Sequence, residues 1–334
     1  MSAITSAAWK ALLCAMLAVA LPCAAQSYFY SRIGSKTDLA TKPDFGLALM
    51  GGGADQDDAF RWLCEKADGG DFLILTATRD DEYNPYVSKL CQLNSVATLG
   101  ILSQQDAEDP AAAEIVRNAE AIFITGGDQS KYVNYWSGTP LQQALNAGIA
   151  AGKPIGGTSA GLAVLPQFSY SAQGDKPDDK NLSSAETLAN PLHPRITLVR
   201  DFLRIPLLRD VVTDTHFAKR DRLGRTLVFL ARLVQDGHHP RAIGVDERSA
   251  VLVDANGAGK VVGTGKGAYF ISPEAKPEAL RANVPLTLDG YSVYLAPTGA
   301  TFDLKHWKGD GGTQYRLSVR DGRISSTKGG GEIY

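Results

Sequence analysis

Cysteine is scarce: four among 334 residues, two of them (Cys14 and Cys23) close to the start. Cys64 and Cys91 alone give no metal-ligand spacing, and the five histidines form no H-x-x-x-H or similar pattern, so no metal is implied. An excess of either charge is also missing. Thirty-four Lys and Arg face 36 Asp and Glu, a net charge of −2, which argues against nucleic acid or another polyphosphate as the main partner. No G-x-x-x-x-G-K-[ST] occurs, and Gly51-Gly52-Gly53 is not G-x-G-x-x-G, so nucleotide binding has no support. No segment approaches the ~20 apolar residues that a membrane span needs.

The longest apolar run is Ala11–Leu21, 11 residues preceded by Lys10 and followed by Cys23-Ala24-Ala25. It reads as a secretory leader over 1–25, cleaved near Ala25–Gln26; a short buried helix is the alternative reading. A mature protein secreted or exported to a periplasm, with no membrane association after cleavage, is expected. In such a compartment Cys64 and Cys91 can pair, or remain as small buried hydrophobes. Hydrophobic residues at 44% and charged residues at 21% are ordinary for a globular chain. Glycine, at 34 residues, exceeds the usual ~7% and signals tight turns or close backbone approaches.

After a polar segment over 26–44, short apolar runs (Phe45–Met50, Phe72–Leu75, Val96–Leu102, Ala121–Ile124) alternate with helical patterns such as Ala59, Phe60, Leu63 and Ala67. Helices are predicted from about Pro85 to Gln92, from Pro110, over Pro140–Ala150 and over Leu223–Val234. The fold class is α/β: a mostly parallel doubly wound sheet with helices on both faces. This catalytic domain spans 45–253 and includes a polar stretch at 169–192 read as a surface insertion. From 254 to 334 short strands with Gly and Asn turns read as an antiparallel extension of the same domain.

Gly157-Thr158-Ser159-Ala160-Gly161 matches G-x-S-x-G between an apolar strand and a helix start, the setting of a nucleophile elbow. Ser159 would project from the sheet's carboxyl edge, where a helix N-terminus favours developing negative charge. Val211–Phe217 (VVTDTHF) is another strand ending in polar residues, which makes His216 the candidate base. A third strand, Ala242–Val245, ends in Asp246-Glu247. Glu247 is the candidate orienting acid and Asp246 the alternative. Gly127, in the Gly126-Gly127-Asp128-Gln129 strand end, and Ala160 could supply oxyanion-hole amides. Arg220, Arg222 and Arg225 crowd a helix start where cations oppose the dipole, and guanidinium groups there would bind carboxylates. An acidic substrate is the expectation.

Four segments carry a family resemblance: FITGGDQ (Phe123–Gln129), GGTSAG (Gly156–Gly161), DTHFAKRDRLGR (Asp214–Arg225) and AIGVDERSA (Ala242–Ala250). In this order they resemble the cyanophycinases, serine peptidases related to aspartyl dipeptidase E with a class I glutamine-amidotransferase-like fold. The resemblance implies Ser159 as nucleophile, His216 as base and Glu247 as acid. It implies a substrate pocket shaped by Gln129, Asp214, Thr215, Arg220, Arg222 and Arg225, no cofactor, and a homodimer. The implied substrate is cyanophycin, a poly-aspartate bearing arginine on each side chain, cut to β-Asp-Arg. Thr215 stands where cyanophycin-degrading relatives carry Gln, which opens a variant acting on other aspartyl or isoaspartyl peptides. A secreted esterase is disfavoured because its triad runs Ser…Asp/Glu…His, whereas His216 precedes Glu247. A non-catalytic binding module would leave every activity unchanged on Ser159→Ala.

Overall fold

The computed structural model describes residues 27–176 and 179–334. The leader expected over 1–25 lies outside the described residues. The first half alternates as the apolar pattern requires: β1 (Phe29–Gly34), β2 (Gly46–Met50), α1 (Asp57–Lys66), β3 (Asp71–Thr76), α2 (Tyr83–Leu90), β4 (Ser95–Gly100), α3 (Gln104–Glu108), α4 (Pro110–Asn118), β5 (Ala121–Ile124), α5 (Gln129–Trp136), α6 (Pro140–Ala150) and β6 (Ile155–Thr158). Proline opens α4 and α6, and the side chains of Asp109 and Thr139 cap them, which is why both starts were legible.

β4, β3, β5, β6 and β2 are adjacent and parallel in that order. Leu73 and Leu75 of β3 join the core that holds Trp136 of α5 and Leu141 of α6. Phe72 and Ile74 join another with Phe60 and Leu63 of α1. Alternate residues of one strand thus meet helices on opposite faces.

The second half runs α7 (Ala160–Ala163), β7 (Phe168–Tyr170), α8 (Ser184–Ala189), β8 (Leu198–Arg200), β9 (Val211–Thr215), α9 (Leu223–Gln235), β10 (Arg241–Val245) and β11 (Ser249–Asp254). Then come β12 (Ala258–Gly263), β13 (Ala268–Pro273), β14 (Leu288–Ala296), β15 (Thr301–Asp303), β16 (Lys308–Asp310), β17 (Thr313–Arg320) and β18 (Arg323–Ser326).

Three features differ from the sequence reading. First, there are two sheets rather than one. The ten-stranded sheet runs β1-β4-β3-β5-β6-β2-β11-β12-β15-β16, and an eight-stranded sheet runs β18-β17-β14-β13-β10-β9-β7-β8. β9 and β10, expected in the same parallel sheet as β6, are parallel neighbours in the second sheet. An apolar run records burial on both faces, not which sheet it joins. Ile243 and Val245 of β10 belong to one core with Leu47 and Leu49 of β2, whereas Ala242 joins Leu227 and Val228 of α9. The strands from 254 onward divide between the two sheets.

Second, the polar entry segment contains β1, an antiparallel edge strand on β4. Third, 169–192 is not a surface insertion throughout. Ser169, Tyr170 and Ser171 are buried, and so are Leu182, Thr187 and Leu188. The serines tolerate burial because their hydroxyls donate to Pro166 O and Thr197 O. The two cysteines are joined: Cys64 on α1 bridges to Cys91 just past α2.

Candidate active site

β6 ends at Thr158, and Ser159 follows with φ +52 and ψ −115. That backbone is costly for a residue with a side chain, and it turns Oγ away from the strand. The turn closes only because position 161 is glycine. A Cβ there would stand 2.0 Å from the carbonyl oxygen of Ile124. The Ser159 amide donates to Met50 O (3.2 Å), tying the elbow to the end of β2.

His216 follows β9 and Glu247 follows β10, the last step before the chain crosses into β11 of the other sheet. Ser159 Oγ stands 2.8 Å from His216 Nε2, and His216 Nδ1 stands 2.7 Å from Glu247 Oε1. With the carboxylate accepting from Nδ1–H, Nε2 is left as the acceptor for the serine hydroxyl. His216 is 5% exposed. Burial, with Arg220 and Arg222 nearby, holds its pKa below the ordinary histidine value of about 6.5, although Glu247 pulls the other way. The hydrogen bond from His216 holds the Glu247 carboxyl below the usual range.

Asp246, the alternative acid, points elsewhere. Its Oδ1 accepts from the amides of Ala218 (3.0 Å) and Lys219 (2.9 Å), bracing the turn that follows His216.

Gly51-Gly52-Gly53 had no role in the sequence reading beyond its mismatch to a nucleotide loop. Here it joins the sheets. Gly51 O accepts from His216 N (2.7 Å) and Gly52 O from Arg248 N (2.9 Å). Gly52 sits at φ +90, and a Cβ there would lie 2.5 Å from His216 Cε1. A glycine run directly after a buried strand was the available signal. Tyr132 was also missed. Its hydroxyl donates to Gly126 O (2.9 Å) and shapes the loop holding Gly127.

Ser159 opens into a cavity of about 570 Å³, an ordinary size for a small-molecule or peptide site. Gly127, Gln129, Ala160, Asp214, Thr215, Arg220, Arg222 and Arg225 all line it. Every residue expected near the substrate is thus brought to one place, but their engagements differ. Asp214 and Arg225 are consumed by each other: Arg225 Nε and Nη2 each donate to the carboxylate at 2.6 Å. Burial raises the Asp214 pKa, but Arg225 and then Arg222 outweigh it and hold the carboxyl below its ordinary value. Arg222 Nη1 donates to Thr215 O (2.9 Å) and Thr215 Oγ1 (3.0 Å), while its buried Nε has no hydrogen-bond partner. Burial and the neighbouring Arg225 bring the Arg222 pKa down to about 10. Arg220 is the more exposed cation, with Nε 3.8 Å from Glu247 Oε1.

Among the described residues no group of three or more His, Cys, Asp or Glu could hold a metal ion. No described helix is long and apolar enough to cross a membrane.

The sequence pattern of peptidase family S51 matches residues 47–261. A cyanophycinase from Trichormus variabilis is 27% identical over 215 residues, 63% of this chain and 65% of that protein. The chain therefore spans just under two thirds of that relative's length. A cyanophycinase from Synechococcus elongatus is 27% identical over 290 residues, 81% of this chain and 83% of the relative. The crystal structure of a peptidase from an acI-B1 Actinobacterium is 18% identical, covers 85% of this chain and 98% of its own, and gives a TM-score of 0.49.

Proposed function

The chain belongs to peptidase family S51, and from that premise we propose that it is an exported serine peptidase that hydrolyses cyanophycin to β-Asp-Arg dipeptides. Its catalytic domain over 45–253 is read as doubly wound and class I glutamine-amidotransferase-like. Ser159 is the nucleophile, His216 the general base and acid, and Glu247 the acid that holds the imidazole. The observation that carries this reading is the chain of two hydrogen bonds, 2.8 Å and 2.7 Å, from Ser159 through His216 to Glu247. The leader-like residues 1–25 support export.

Ser159 Oγ attacks the carbonyl carbon beside the β-linked aspartyl unit as His216 Nε2 takes its proton. The carbonyl oxygen becomes an oxyanion, received by the amides of Gly127 and Ala160. The imidazolium, facing the Glu247 carboxylate, returns its proton to the leaving amine, and the C–N bond breaks. Water, deprotonated by His216, then releases the acyl group and restores Ser159. The cationic Arg220 and Arg222 suit the carboxylates of an aspartyl backbone.

The test is release of β-Asp-Arg from purified cyanophycin by the mature protein, with Ser159→Ala alongside. Release that disappears in the variant is expected. No release by the parent would overturn cyanophycin as substrate. Other aspartyl and isoaspartyl peptides come next in that case, because the short Thr215 side chain is engaged by Arg222 and shapes that wall differently from a glutamine.

A further inference from the structure

Residues 328–334 reach from the second sheet to the turn that carries Arg220 and Arg222. Lys328 Nζ bonds Tyr334 O, and Tyr315 OH of β17 donates to Ile333 O (3.0 Å). The side chain of Tyr334 then meets the turn at three places. Its hydroxyl accepts from the Leu223 amide at the start of α9 (3.0 Å) and donates to Asp221 Oδ1 (2.8 Å). Its ring stands edge-on to Phe217, the neighbour of His216, with centroids 6.0 Å apart.

The turn needs such support. Asp221, between the two arginines, sits at φ +47, a conformation that costs free energy for a residue with a Cβ. No side chain caps α9 at Arg222, and the Leu223 amide is one of the donors that a helix start leaves without an intrahelical acceptor. Tyr334 supplies the missing acceptor. On the other side, Ser184 Oγ donates to Asp221 O (2.5 Å).

We propose that Tyr334 is a positioning residue. It fixes the turn over 217–223 and thereby the directions of the two guanidinium groups that face the cavity. It is not itself one of the residues that line the cavity. The kinetic part of this proposal rests on the acidic-substrate reading above; the mechanical part does not.

Tyr334→Phe keeps the ring and removes the hydroxyl, and Tyr334→Ala removes both. Three readouts separate the possibilities: amide hydrogen exchange of peptides covering 217–223 without substrate, KM and kcat on cyanophycin, and the rate of Ser159 labelling by a fluorophosphonate. For Tyr334→Phe, which removes both hydrogen bonds of the hydroxyl, the expected result is faster exchange confined to 217–223 and a KM raised about fivefold. Its kcat and labelling rate should stay within about twofold of the parent. Tyr334→Ala also frees Phe217 and should slow labelling. Unchanged exchange over 217–223 in the Phe variant would overturn the proposal, and so would acceleration spread evenly over the protein. If the parent cleaves no cyanophycin, the substrate reading fails and the exchange result alone decides the role of Tyr334.

Discussion

Consider Asp214→Asn, which removes one charge and changes almost no volume. Sequence reasoning placed Asp214 and Arg225 together in the substrate pocket. In the structure their side chains are 4% and 3% exposed and form a two-pronged ion pair. Thr226 Oγ1 (3.2 Å) and the Thr215 amide (2.8 Å) also donate to the carboxylate. Asparagine keeps an acceptor for one or two of these donors and leaves the buried charges of Arg225 and of Arg222, 3.4 Å from the carboxylate, without their counter-ion. Breaking one side of a buried pair costs about 3–5 kcal/mol, a large share of the ~5–15 kcal/mol that stabilises most domains. Urea unfolding followed by tryptophan fluorescence should show a lower midpoint with an unchanged slope. Adding Arg225→Met removes the closer of the two stranded charges and should recover at least half of the loss. The pH dependence has a definite sign. The folded carboxyl titrates below the unfolded one, so its contribution is complete above about pH 4 and lost as the pH falls through the lower, folded value. Parent and variant should therefore converge in acid. An Asp214→Asn protein within about 1 kcal/mol of the parent but with a tenfold higher KM would refute the reasoning and return Asp214 to the substrate.

Because burial and the two arginines lower the His216 pKa, the acid limb of kcat/KM should have its midpoint below about 6.5. Arg220→Gln should move that midpoint upward, measured on a substrate without carboxylates. Glu247→Gln should lower kcat by about 10²–10⁴-fold without unfolding the protein. Asp246→Asn, which loosens two amides rather than the imidazole, should cost about 1–2 kcal/mol of stability and far less rate, as steady-state kinetics and denaturation will separate. The Cys64–Cys91 bridge spans 27 positions, so Cys91→Ser should lower stability by about 3.5 kcal/mol on the chain-entropy account. A reducing agent should do the same to the parent and nothing to the variant.

The local signals were legible where one residue type serves one geometric need. Gly157, Ser159 and Gly161 read as a strand-to-helix turn because the backbone there admits little else. Pro110 and Pro140 marked helix starts for the same reason. Distant partners were less legible. Asp246 and Glu247 are neighbours in sequence, and only the path of the chain into β11 sends one to the imidazole and the other to a pair of amides. The buried serines 169 and 171 look like surface residues until their acceptors on Pro166 and Thr197 are known. The arginines read as one ligand-binding set, because composition does not tell a guanidinium that faces solvent from one that already has its carboxylate.

Ser159 stands on one sheet, and His216 and Glu247 stand on the other. Protein synthesis runs from residue 1 upward, so the ribosome delivers the serine 57 positions before its base and still earlier than its acid. The strand that follows Glu247, β11, is also the one that pairs with β2. A growing chain therefore does not hold both the base and the acid of the elbow serine until roughly three quarters of it has been made. On the proposed reading the order of the strands along the chain makes the catalytic relay complete only once the second sheet has reached β10.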